Sequence, residues 1–162
     1  MIGEQAYLDK AIKRYSTQVS ATAKAALEKL RSRFPGARRF VYERRQSLVI
    51  GLAPEAGGAA VFSLVLYPRW VRFFFLEGVA LDDPENRLEG NGSQVRSLRV
   101  DQRAAILDDA YIRGLIDQAI DASGADLRSG RGEVVLRSKL GAPRANLRMR
   151  RRRAVGRQKN DL

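Results

Sequence analysis

The sequence predicts an α+β domain: an antiparallel sheet of about five or six strands with N-terminal and C-terminal helices packed on one face. Three observations lead there. Apolar residues recur at helical spacing as far as Phe34, and from Arg38 onward the period drops to two. Gly, Pro and Asn-rich turns cut the period-two region into runs too short for buried helices. A second helical stretch then precedes one last short apolar run, and no internal repeat is visible.

Leu8, Ile12 and Tyr15 share one face of a first helix. Ser16 or Thr17 is placed to cap a second, in which Val19, Ala23, Ala26, Leu27, Leu30 and Phe34 line up, and Pro35-Gly36 stops it. RRFVYE and SLVIGL follow as strands joined near Arg45 and Gln46, with a Gly57-Gly58 turn after them. AAVFSLVLY runs through Tyr67-Pro68-Arg69 into WVRFFFLEG, which reads as a hairpin of two central strands because it is rich in aromatics. Asp82-Asp83-Pro84 and Gly90-Asn91-Gly92-Ser93 are loop chemistry, with one short turn at NRLE between them. QVRSLRV is a further strand. Asp108 or Asp109 then caps a helix with Ile112, Leu115, Ile116, Ala119 and Ile120 on one face, Ser123-Gly124 ends it, and GEVVLRS is the last strand.

Three segments follow: residues 1–16 as an N-terminal helical extension, 17–138 as the α+β domain, and 139–162 as a basic tail expected to be disordered without a polyanion. The net charge of +12 over 162 residues is unevenly spread. Residues 1–50 carry +7, residues 51–136 carry −4 and residues 137–162 carry +9, counted along the chain.

Composition excludes several chemistries. With no Cys there are no disulfides, thiolate metal sites or cysteine nucleophiles, and with no His the usual zinc hydrolases and Ser-His-Asp catalysis are out. No carboxylate pair stands out as general acid and base. No apolar run approaches the roughly 18 to 20 residues that span a bilayer, and the first residues are polar, so the expected location is the cytoplasm, away from membranes. The residues point to no cofactor.

Four features are candidate sites. In the tail, Arg148, Arg150, Arg151, Arg152 and Arg153 can contact phosphates nearly independently of sequence, so RNA or DNA is the expected partner. Around the loop Gly90, Gly92 and Ser93, backbone amides able to turn toward an anion, with Arg96 and Arg99 following, suit a small anionic ligand, although the spacing is not that of a P-loop. Strand alternation puts Trp70, Arg72, Phe74 and Leu76 on one face and Val71, Phe73 and Phe75 on the other. If the first face is uncovered, Trp70 and Phe74 beside Arg72 can stack on a base or flat ligand. Asp82, Asp83, Glu85 and Glu89 can gather a divalent cation or form a solvated turn, and no calcium-loop spacing is present.

The segments RFPGARRFVYE, SLVIGLAP, VFSLVLYPRWVRFFFLEGVALDDP and LEGNGSQVRSLRV, with DDAYIRGLIDQAI after them, resemble the YdhG-like family, a bacterial family of domains of unknown function. The resemblance covers roughly residues 17–137. Its most specific parts are YPRW running into an aromatic strand and the LEGNGSQVR turn. It implies a compact α+β domain without established catalytic residues, and some family members are described as frataxin-like iron chaperones. A frataxin-like site calls for carboxylates on the first helix of the domain. Here that helix carries Lys24, Lys29, Arg31 and Arg33 against Glu28 alone. The reading is thus a non-enzymatic cytoplasmic domain with an Arg-rich tail for RNA or DNA. The alternative is a frataxin-like iron or small-anion carrier using region 82–99, and an enzyme acting on an anionic metabolite through Arg96 and Arg99 ranks last.

Overall fold

The computed structural model describes residues 3–137. Helix α1 spans Glu4–Lys13 and α2 Thr17–Arg33. Ser16 caps α2 by accepting a hydrogen bond from the Val19 amide at 3.1 Å, and Ala23 and Ala26, small and fully buried, line its sheet-facing side. Strands β1 (Arg38–Glu43) and β2 (Leu48–Ala53) form a hairpin closed by Arg44 N–H to Ser47 C=O. β3 (Phe62–Leu66) and β4 (Val71–Phe75) form the next, turning at Tyr67–Trp70. After β5 (Arg96–Val100), α3 (Ala110–Ser123) starts on Asp109, whose carboxylate accepts from the Ile112 amide, and ends on Gly124 at φ +68°. That left-handed stop is a glycine role.

The sheet order is β5-β4-β3-β2-β1-β6, with β6 at Val134–Leu136. Every neighbouring pair is antiparallel except β1 with β6. The antiparallel sheet of about five or six strands expected from the sequence is present, with one parallel pair at its edge. The connection from β5 through α3 crosses the sheet, and such a crossover can return the chain alongside β1 in the same direction. Two short 3-10 turns, Gly78–Ala80 and Ala105–Asp108, also lie outside the sequence reading.

The buried helical side chains Leu8, Ile12, Val19, Leu30, Ile112, Leu115 and Ile116 all belong to one core with Val41, Ile50, Leu64, Phe73 and Leu98. Phe62 lies at its centre, 5.2 Å from the Phe73 ring, 5.6 Å from Phe75 and 5.9 Å from Phe34. The described helices thus pack on one face of the sheet, as the period change implied. Among the described residues no helix is long and apolar enough to cross a membrane.

Candidate nucleic-acid interface

Strand alternation assigns the second face of the sheet residue by residue. Register aligns Arg99, Arg72, Val65, Val49 and Tyr42 in one row across β5 to β1, and Ser97, Phe74, Ser63, Gly51, Phe40 and Val135 in the next. None of these belongs to the core that the helices close. Val49 and Val65 are nonetheless buried, lying low between longer neighbours in register.

Aromatic and cationic side chains rise at both ends of this face. At one end Trp70 is 40% exposed and the Arg99 guanidinium lies 5.0 Å from its ring centroid. Arg72 is fixed beside them: its Nε and Nη2 donate to Ser97 Oγ at 3.1 and 2.9 Å, and Nη2 donates to Glu89 at 2.5 Å. Glu89 reaches there because its backbone exchanges hydrogen bonds with Ser97. At the other end Arg137 lies 4.4 Å over the Phe40 ring and Arg44 lies 5.7 Å over Tyr42. Arg38, in register with Ala53, is half-buried on the same face, and its buried Nε has no hydrogen-bond partner among the described residues.

The structure puts Trp70, Arg72, Phe74 and Arg99 on one face, with Arg99 against Trp70 and Phe74 farther along β4 in register with Ser63 and Ser97, and separates Arg96 from them. Residues 96 and 99 are an odd number apart, so they leave the strand on opposite faces. Arg96 Nη1 donates instead to the carbonyls of Gly92 at 2.7 Å and Val95 at 2.8 Å, tying down its own loop. Within that loop Gly90 adopts positive φ, +137°, while Gly92 is buried and Ser93 is exposed. Arg148 and Arg150 to Arg153 lie outside the described residues.

The acidic stretch is dispersed among separate partners. Asp83 accepts from the Arg87 and Leu88 amides at 3.0 and 2.9 Å and from Tyr111 Oη. Burial pushes its pKa up, but the Tyr111 hydroxyl, the two amides and the Arg87 charge outweigh that and hold it below the usual value. Glu85 pairs with Arg87, Glu89 with Arg72, and the Asp82 amide and carbonyl meet the Gln118 side chain. Among the described residues no cluster of three or more Asp or Glu is arranged to hold a metal ion.

The β1 half of the face was missed in the sequence, yet its signal is present: in RRFVYER, period two puts Arg38, Phe40, Tyr42 and Arg44 on one side. Arg137 has no such signal, since it joins through the β1–β6 pairing. No protein-family model, curated protein or solved structure matches the chain.

Proposed function

We propose that this chain is a non-enzymatic nucleic-acid-binding domain that meets the phosphate backbone with the cationic side of its sheet and with its C-terminal tail. One observation carries the reading. Arg38, Arg44, Arg72, Arg99 and Arg137 share the face that no described helix covers, with Glu89 the carboxylate paired there. Phosphate contacts supply affinity without sequence readout, which suits arginines held on a flat surface. The tail enters on composition, through Arg148 and Arg150 to Arg153. Kinship with the YdhG-like family forms part of the proposal and is supported by the YPRW and LEGNGSQVR segments.

The test is a fluorescence-anisotropy titration of labelled RNA and DNA oligonucleotides with the full chain across a salt series. Binding should weaken linearly in log-log form as salt rises. Substituting Arg99→Ala and Arg137→Ala together should lower the slope by about 1.4 for single strands, from roughly 0.7 per phosphate contact. Absence of binding at low salt would overturn the proposal.

A further inference from the structure

We infer that the uncovered sheet face takes single-stranded nucleic acid, with bases stacked at two stations: Trp70 with Arg99, and Phe40 and Tyr42 with Arg137 and Arg44. This rests on the nucleic-acid reading above and adds to it the kind of strand and the chemistry that selects it.

A duplex hides the faces of its bases, whereas an unpaired strand offers every base for stacking on an aromatic ring or a guanidinium plane. Both surfaces are present at each station. Arg99 lies over the Trp70 ring, and Arg137 lies over Phe40, so an aromatic face and a guanidinium stand together at each station and a further flat group can stack on either. The charge is of the complementary sign at both ends.

The floor between the stations is low. Val65 and Val49 in one row and Ser63 and Gly51 in the next are small and buried, so between the stations no large side chain stands up from β3 and β2. Three interstrand spacings of about 4.8 Å, combined with the offset of Trp70 along the strand by two residues from the Tyr42 row and four from the Phe40 row, put the stations roughly 16–20 Å apart, which is about five or six nucleotides at the ~3.4 Å rise of a stacked strand. An acidic protein segment would match the charge. It would leave the ring faces unused, and the observations therefore favour bases.

The chain carries a single tryptophan, Trp70 itself, so its fluorescence reports on one station directly. Full-length protein is titrated with single-stranded oligonucleotides of two to twelve nucleotides, with a duplex of the same sequence, and with poly-glutamate. The expected result is quenching of Trp70 by single strands, with affinity rising until about five or six nucleotides are present, and weaker binding of duplex without comparable quenching. Trp70→Ala should weaken single-strand binding by about ten-fold, within the range measured for loss of one stacked base, and leave the salt slope unchanged. Trp70→Phe should restore most of the affinity. Phe40→Leu, which keeps apolar bulk, should weaken binding of the longer oligonucleotides and spare the shortest.

Binding to single strands without Trp70 quenching, equal affinity for the duplex, or equal quenching by poly-glutamate would each overturn the inference while leaving phosphate binding by face and tail standing. No binding to any oligonucleotide at low salt would overturn both. Circular dichroism of each variant separates loss of a station from loss of the fold.

Discussion

Replacing Asp83 by Ala removes a carboxylate that organises the segment between β4 and β5. Its oxygens accept from two amides, Arg87 at 3.0 Å and Leu88 at 2.9 Å, and Leu88 is buried with the core. A hydrogen bond to a charged group contributes roughly 1.5–3 kcal/mol where it is shielded, and less where water can replace it. Asp83 is partly open, so the lower end applies and the two amide bonds together are worth about 2–3 kcal/mol. At roughly 2–4 °C per kcal/mol for a chain of this size, Tm should fall by about 5–10 °C, read by circular dichroism with urea unfolding as a second measure. The effect should depend on pH with a definite sign. The carboxyl is held below its usual value in the folded protein, so its contribution is complete above the unfolded pKa of about 3.9 and is lost as pH falls through the lower folded value. The gap between wild type and variant should therefore stay constant from neutrality down to about pH 4 and shrink below it. A loss under about 0.5 kcal/mol, or a gap indifferent to acidification, would refute the role assigned to Asp83.

Other substitutions probe the remaining supports. Phe62→Ala, at a fully buried ring among Phe34, Phe73 and Phe75, should cost about 3–5 kcal/mol in urea unfolding. Gly36→Ala places a Cβ 2.1 Å from the Ser129 carbonyl oxygen, so the loop before β6 must shift; a loss of roughly 1–3 kcal/mol and faster amide exchange at Val134–Leu136 are expected. Lys29→Ala breaks a pair with Asp108 that is half in water, and should change stability by under about 1 kcal/mol in the same unfolding assay.

Local features of the fold were legible because their causes are local. Ser16 caps α2, Asp109 caps α3, Gly124 stops α3, and the aromatic hairpin alternates as its spacing dictates. The parallel β6 was not, because its partner β1 lies far back in sequence and the crossover that aligns them leaves no mark on VVL itself. The same divide runs through the site. Trp70 and Arg72 on one face of β4 follow from parity alone. Placing Arg96 beside Arg99 neglected that parity, and the structure sends them apart. The acidic stretch looks like a cation site in sequence because Tyr111, which engages Asp83, stands 28 residues later.

Folding treats the basic residues of this chain in two ways. On α2, Lys29 meets Asp108 and Arg33 meets Asp117, so the helix that looked cationic in sequence has acids supplied by the segment that packs beside it. On the open sheet face Arg44, Arg99 and Arg137 lie over aromatic rings instead. A ring positions a guanidinium and shields its apolar stem without cancelling its charge. Those arginines are therefore held in place and still carry a full positive field, which a purely structural role for the face does not require. An apolar second layer would have met Val49 and Val65 with more aliphatic groups; here they are buried although no described helix covers that side of the sheet. A face that is stable uncovered, ordered by its rings and charged by its arginines has the properties a polyanion with flat bases exploits, and those properties arise in the folded domain before any contribution from the tail.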